Sequence, residues 1–519
     1  MYTFSSKLKT FSFILMAVGI LGIGYGFLNA PKNIEDVETL LKKEASEHGG
    51  GHGEAAAAHH EESAEATHHE EKPEAVHHEE AKDAHAEIAV NADSVIAHKD
   101  SVVAKEEVAN EVKTEEAHES IVAEANVAKH EIKDQKHEEV SHEHDPKAHA
   151  EHVLHQLQNK PWSALYVACI FFLLLSMGVL AFYAIQHVAQ AGWSPVLFRV
   201  MQGITAYLPV GSLIFFVILI LCGLHFNHIF VWLGEGVTDP KSEHYDAIIA
   251  GKSGYLNFPF WIARAAVFLG GWNLYRYITR KNCLAQDEAN DDLNYKKNFK
   301  QTAGFLVFFI VSESIMSWDW IMSFDPHWFS TLFGWYVFAS FFVSGITTIA
   351  LVTIYLKSKG YLEFVNTSHI HDLAKFMFGI SIFWTYLWFS QFMLIWYANI
   401  PEEVTYFITR IQLYNLPFFG AVVMNFVFPV LILVNTDFKR LNWVIVMAGI
   451  VILLGHYVDF FNMIMPGTVG DRWFIGVSEI ASILFFLGLF IFVVFTALSK
   501  SPLLAKRNPF IEESKHFHY

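Results

Sequence analysis

Ten apolar runs, each long enough to cross a bilayer, constrain this 519-residue chain more than any other feature. A spanning helix needs about 20 mostly apolar residues, because each backbone N–H and C=O must be paired inside the hydrocarbon. The runs are Phe11–Leu28, Ser163–Ile185, Ile204–Leu233, Phe258–Ile278, Thr302–Met322, Thr331–Leu356, Leu373–Tyr397, Leu416–Val434, Trp443–Met463 and Phe474–Leu498. In the third, Pro209 predicts a kink or a late start. The first follows Lys7 and Lys9 and ends in Phe27-Leu28-Asn29-Ala30 before Pro31, without the small-residue cleavage pattern of a secretory signal. Residues 1–30 therefore read as a retained anchor. The expected fold class is an all-α integral membrane protein with ten transmembrane helices.

A formal charge of −17 conflicts with that reading until it is divided by region. From Ala30 to Lys160 there are 32 acidic residues against 13 lysines and no arginine, a balance of −19 that leaves the remainder at about +2. The chain thus reads as a nearly neutral membrane protein carrying one acidic insert, and a soluble globular fold is excluded. Nucleic acid is excluded as a partner, since the insert repels phosphate and the membrane part offers no basic face.

The insert, residues 31–160, is rich in Ala, Glu, Lys and His and holds 18 of the 28 histidines. His59-His60-Glu61-Glu62 recurs at His68-His69-Glu70-Glu71 and at His77-His78-Glu79-Glu80, a period of nine residues. Imidazole beside carboxylate binds zinc or copper when ligands converge. A segment this poor in large apolar residues builds no core, so a solvated, mostly disordered tether with some helix is the favoured expectation over a metal store. Residues 161–498 form the main membrane domain and 499–519 a tail.

Orientation follows from the distribution of Lys and Arg. One set of ends carries 18 of them, from Lys7 and Lys9 to Lys506, Arg507 and Lys515, against Lys241, Lys252, Arg410 and Arg472 on the opposite short loops. Both termini are expected in the cytoplasm and the insert outside, in the periplasm of a Gram-negative bacterium.

Ionisable residues within spans are costly and mark functional candidates. His225, His228, Trp232 and Glu235 follow a three-four spacing and would share one face if the third helix ran to its outer end. Arg264 sits about two turns into the fourth run. Glu313 falls eleven residues from the inner end of the fifth, roughly 16 Å deep at 1.5 Å per residue. Asp319 follows in the outer half, then Asp325, Pro326 and His327 in a short outer turn, where Asp325 is expected to cap the sixth helix or shape the turn. Gln391 closes the seventh run, His456 and Asp459 lie one turn apart in the ninth, and Arg472 and Glu479 open the tenth.

Each has a structural alternative. Arg264 with Asp319 reads equally as an ion pair, and His456 with Asp459 as a tie between the ninth and tenth helices. Glu313, flanked by Ser312, Ser314 and Ser317, reads as a protonatable relay. Cys169, Cys222 and Cys283 show no paired spacing, so no iron-sulfur cluster, covalent haem or cysteine-based metal site is expected. A b-haem needs facing histidines, and only His225, His228 and His456 fall within the runs, so haem is not expected either.

The stretch Ser317-Trp318-Asp319-Trp320-Ile321-Met322-Ser323-Phe324-Asp325-Pro326-His327-Trp328-Phe329-Ser330-Thr331-Leu332-Phe333-Gly334 resembles a signature of one family. It is similar to the second of the two large membrane subunits in alternative complex III, a quinol:cytochrome c oxidoreductase related to polysulfide-reductase membrane subunits of NrfD type. The resemblance covers residues 163–498 and the first anchor, but not the insert. It implies two four-helix bundles, from runs two to five and six to nine, flanked by helices one and ten. It also implies a second NrfD-like membrane subunit, a periplasmic iron-sulfur subunit, multihaem c-type cytochromes and, beyond them, a terminal oxidase as partners. Haems and iron-sulfur clusters then belong to those partners, with quinol, menaquinol or ubiquinol, as the ligand of the membrane part in a bacterial inner membrane.

Quinol oxidation releases two protons with two electrons, so a site needs acceptors for both hydroxyls and a proton exit. The quinol candidates are His225, His228, Arg264, Asp325 and His327. The proton-path candidates are Glu313, Asp319, His456, Asp459 and Glu479. Three functions remain open: a subunit with its own quinol site, a proton-conducting subunit that touches no quinol, and a scaffold whose polar residues only join helices.

Overall fold

A computed structural model describes residues 2–48 and 146–518. The chain divides into two units, Met1–Ile34 with Glu151–Tyr519, and Glu35–Ala150. The His-Glu repeat of residues 59–80 lies outside the described residues. In the second unit the described part includes most of an amphipathic helix, α2 (Ile34–His48), whose Glu35 and Asp36 sit favourably at the positive end of the helix dipole.

The larger unit is helical throughout its regular structure. In chain order it contains α1 (Ser6–Leu28), α3 (Pro146–Val188, reaching back across the unit boundary), α4 (Phe198–Ile204), α5 (Tyr207–Gly223), α6 (Ala247–Lys252), α7 (Phe258–Gln286) and α8 (Leu293–Trp320). There follow α9 (Phe333–Ser358), α10 (Thr367–Ala398), α11 (Pro401–Gln412), α12 (Asn415–Val422), α13 (Phe428–Leu433), α14 (Asn442–Val469), α15 (Val477–Leu498) and α16 (Ile511–Lys515). Among the described residues nine helical segments are long and apolar enough to cross a membrane. The fourth expected run is helical too, as α7, with Arg264 and Arg276 inside it, but it is not among the nine.

Side chains and backbone together set the ends of these helices. Asn257 Oδ1 accepts the Phe260 N–H at 3.0 Å to start α7, and Asn366 Oδ1 accepts the N–H of Ser368 at 2.9 Å to start α10. Asn399, with φ +49°, ends α10 in the left-handed conformation that Asn tolerates.

Burial separates the centre from the lipid side. In the apolar windows of α3 and α9, 94% and 89% of residues are buried, against 11% for α1. The two central helices cross at Gly178 and Gly345, where each backbone meets the other and a Cβ would collide. At the periphery α1 lies along α15, with Gly22 against Ala481 and Gly26 against Ser478, the small-residue packing that lets helices approach inside a bilayer. Elsewhere α9 packs on α10 and α14, α7 on α8, and α8 on α9.

Four local expectations are corrected. The third run is not one helix to Leu233: α5 begins at Tyr207, with Pro209 in its first turn, and ends at Gly223. His225 then takes φ +60°, so residues 225–235 leave the helix, and His225, His228, Trp232 and Glu235 share no helical face. The eighth run is interrupted by a π turn at Val423–Val427, between α12 and α13. The second spanning helix begins at Pro146, inside what the sequence assigns to the insert. Of the two roles expected of Asp325, it does not cap α9, which Leu332 precedes, but it does shape the turn: it ends the short 3-10 turn Met322–Phe324 and its carbonyl accepts the Trp328 N–H at 3.2 Å.

Candidate functional site

Arg264 and Asp319 form a closed pair. Asn257 fixes the start of α7, which places Arg264 two turns in and opposite the last turn of α8. Arg264 Nε donates to Asp319 Oδ2 at 2.6 Å and Nη2 to Oδ1 at 2.9 Å. The third guanidinium nitrogen donates to the Tyr255 carbonyl at 3.2 Å, and the group lies 4.0 and 4.2 Å from the ring centres of Tyr255 and Phe260. Both carboxylate oxygens are thus engaged by a permanent cation in a fork geometry.

Glu313, six residues earlier on α8, is placed differently. It is 5% exposed, and Ser317 and Ser314 donate to its two oxygens at 3.3 Å each. Among the described residues no ion pair involves it.

The densest buried constellation lies in the second half of the molecule. Asp459 on α14, 1% exposed, accepts hydrogen bonds from Tyr336 Oη and Ser340 Oγ of α9 and from Trp384 Nε1 of α10. The Ser340 and Trp384 bonds are both 2.8 Å. Ser340 Oγ also lies 2.9 Å from His456 Nδ1. A hydroxyl has one proton to give. Since Ser340 donates it to Asp459, it accepts from Nδ1–H, and the neutral His456 ring carries its lone pair on Nε2. Among the described residues that nitrogen, both polar atoms of the Asn425 side chain and the hydroxyl of Ser381 are buried without a hydrogen-bond partner. Asn425 stands in the π turn and packs against Gly455, next to His456. His456 and Asp459 therefore face α9 and α10, and not α15, the tenth run, as expected from sequence.

Two cavities sit beside this node. A small one, about 10 Å³, is lined by Tyr336, Gln391, Tyr406, Arg410 and Asn462 among others. Tyr406 and Arg410 also line a second, of about 80 Å³, with Asp325, Trp328, Thr405 and Thr409, which has room for several waters. Arg410 donates to the carbonyls of Tyr406 and Asn462 at 2.9 and 3.1 Å and lies 3.3 Å from the Tyr406 ring centre. A polar lining thus runs from Asp325 through Arg410 and Tyr336 to Asp459, Ser340 and His456.

The remaining candidates are dispersed. His228 borders a third cavity, of about 230 Å³, with Phe27, Lys32, Asn159, Trp162 and Asn227. Asn159 fixes the His228 backbone by accepting its N–H at 3.0 Å and donating to its carbonyl at 3.1 Å. Partial desolvation there, with His155 and His225 close by, holds the His228 imidazole below the ordinary histidine value. His225 is exposed. His327 lines neither cavity; it pairs at 2.6 Å with Asp246, which caps α6. His228, Asp325 and His327 are therefore not gathered into one pocket. Glu479 opens α15 and accepts the Gly476 N–H at 2.8 Å; its other oxygen and the Lys160 ammonium are buried without hydrogen-bond partners.

Sequence reasoning missed Tyr336, Ser340, Trp384 and Asn425 as site residues. A signal existed for the α9 pair: Tyr336, Ser340, Ser344 and Thr347 repeat at helical spacing in an apolar run. Trp384 carried none. Among the described residues no group of three or more His, Cys, Asp or Glu side chains is placed to hold a metal. No family model matches the chain, and no curated protein matches it.

Proposed function

We propose that this chain is a membrane subunit of a quinol:cytochrome c oxidoreductase of the alternative complex III type, and that its second half conducts protons. In this reading α7 is the tenth span, the spans form two four-helix bundles flanked by α1 and α15, and both termini face the cytoplasm of a bacterial inner membrane. Residues 31–160 then lie in the periplasm, and the second NrfD-like subunit, iron-sulfur subunit and multihaem cytochromes supply the redox centres. The signature stretch Ser317–Gly334 supports it, because that segment supplies both the Asp319 lock and the wall of the Asp325 cavity.

The observation that carries the proton-conducting role is the Asp459 node. It joins a hydroxyl and an imidazole in one hydrogen-bonded chain, with a water-sized cavity on one side and the unpartnered His456 Nε2 on the other. A proton arriving at Nε2 allows Nδ1–H to pass to Ser340 as the Ser340 proton passes to Asp459. Loss of the Asp459 proton on the side of Tyr336 and the small cavity, followed by turning of the Ser340 hydroxyl and return of the ring N–H to Nδ1, resets the chain. The test is Asp459→Asn in the purified complex reconstituted in vesicles: quinol oxidation continues while proton transfer across the membrane falls away. Unchanged protons per electron in an assembled complex would exclude the role.

A second reading concerns quinol itself, and the His228 cavity favours it. Its volume of about 230 Å³ and its mixture of aromatic walls with His228 and Asn159 suit a quinol headgroup better than the smaller spaces near Asp459. A photoreactive quinone analogue labelling residues around His228, with competition by quinol, is the expected result; labelling confined to a partner subunit removes it.

A further inference from the structure

At the end of α7 away from Arg264 three arginines, Arg199, Arg276 and Arg280, lie close together, and one of them holds a carboxylate. Arg199 of α4 is buried and takes Asp287 as its ion-pair partner, and the other Asp287 oxygen accepts the Lys506 N–H at 2.9 Å. Arg280 has neutral acceptors: it donates to Gln202 Oε1 at 2.5 Å, which it shares with Arg199 at 3.3 Å, and to Ser501 Oγ. One turn earlier, Arg276 is half-buried, its Nε has no hydrogen-bond partner, and among the described residues it joins no ion pair. Among the described residues these two partly buried guanidinium groups thus have no ion-pair partner, which is unfavourable unless an anion approaches.

The place of Arg276 says which anion. Asn273 ties α7 to α5 through Ser212 at 2.9 Å, and Arg280 ties α7 to α4 through Gln202. Arg276 shares that helix face and lies between the two ties. Counting from Phe258, it lies about 27 Å along α7, at the level where the hydrocarbon gives way to headgroups. The outward face beside it is apolar, with Val267, Leu274 and Tyr277 each more than half exposed. That combination suits a lipid whose chains lie along α7 and whose phosphate turns toward Arg276.

We propose that Arg276 and Arg280 bind the phosphate of an anionic phospholipid beside α7, on its face toward α4 and α5. Guanidinium forks match phosphate oxygens and are not replaced by the compact charge of lysine. A partner's acidic side chain would meet the same charges but would not need the apolar face beside them.

The test is native mass spectrometry of the full-length chain in detergent, titrated with phosphatidylglycerol and, separately, with phosphatidylethanolamine. One phosphatidylglycerol is expected to remain bound under conditions that strip phosphatidylethanolamine. Arg276→Gln, which breaks no contact within the fold, is expected to weaken that binding roughly tenfold, the loss of one charge-assisted contact. Lys281→Gln, which alters an exposed charge one turn away, leaves it unchanged. If Arg276→Gln fails to fold, the wild-type chain decides alone: its melting temperature should be higher in vesicles containing phosphatidylglycerol than in phosphatidylethanolamine alone. Equal binding by wild type and variant, equal melting in both lipids, displacement by millimolar inorganic phosphate, or a protein subunit retained there in place of lipid would each overturn the proposal.

Discussion

Asp319 and Asp459 are the same side chain, both buried in helices, in two halves of one membrane unit, yet the fold treats them in opposite ways. Asp319 meets a guanidinium that occupies both its oxygens. Asp459 meets a phenol, a hydroxyl and an indole N–H, all neutral, with His456 behind the hydroxyl. A carboxylate with both oxygens engaged by one guanidinium braces the two helices it joins. One held by neutral donors beside an imidazole suits the relay proposed above, because no permanent cation occupies its oxygens. Partner chemistry, and not burial, therefore separates a brace from a relay.

The largest effect is expected from breaking the brace. Arg264→Gln leaves the Asp319 charge buried without a counter-charge, and such changes cost about 3–5 kcal/mol. Thermal unfolding in detergent and the yield of assembled protein should both fall sharply. Arg264→Met with Asp319→Leu together should recover most of the loss, because an apolar pair of similar volume is often neutral in such a place. A single variant as stable as wild type would mean that the pair does not brace α7 to α8.

Next comes the relay. His456→Gln retains a side-chain amide for Ser340 and leaves the three donors to Asp459 in place, so stability should change by no more than about 1–2 kcal/mol. Proton transfer, timed after a quinol pulse in reconstituted vesicles, should slow by about a hundredfold, the usual scale for removing a positioned acid–base group. The reverse pattern, with stability lost and transfer intact, would make His456 a brace like Arg264.

Glu313 sharpens the contrast between them, since it has hydroxyl partners but neither a cation nor an imidazole. Glu313→Gln keeps its shape and one acceptor oxygen, and is expected to assemble normally with proton-coupled turnover reduced severalfold. Proton release measured alongside quinol oxidation decides: full coupling at normal assembly removes Glu313 from the path.

Much of this was legible in the chain. The apolar runs fold as helices, and the Arg264–Asp319 pairing was one of two readings open to those residues, because both sit near the outer ends of adjacent runs. The end of α5 was not legible: Leu224–Leu233 is apolar enough to prolong a helix on hydropathy alone, whereas Gly223 and the left-handed His225 turn the chain aside. Nor was the company of Asp459. His456 and Asp459 are local, three residues apart, but Tyr336, Ser340 and Trp384 come from 75 to 123 residues away, and no spacing rule reaches across helices. The π turn that presents Asn425 has no reliable sequence sign either, so the inner side of the node could be found only in three dimensions.

The smallest effect is expected from a third aspartate, one that water reaches. Asp246 precedes α6, accepts the N–H groups of Ile248 and Ile249 at 2.9 and 3.0 Å, and meets His327 at 2.6 Å. Desolvation pushes its carboxyl up, but the Ile249 N–H, His327 and the Ile248 N–H outweigh it and hold the group below the ordinary aspartate value. A carboxyl lowered in this way contributes its stability in full above the unfolded value of about 3.9 and loses it as pH falls through the folded value. Asp246→Ala should therefore cost about 1 kcal/mol at pH 7, the usual worth of a helix cap, and the gap to wild type should close in acid, below about pH 4. Raising the salt concentration should trim only the His327 share, because exposed ion pairs are screened while cap hydrogen bonds are not. Melting curves of both proteins across pH and salt give the answer, and a gap that widens in acid would show that Asp246 is not held as the carboxylate.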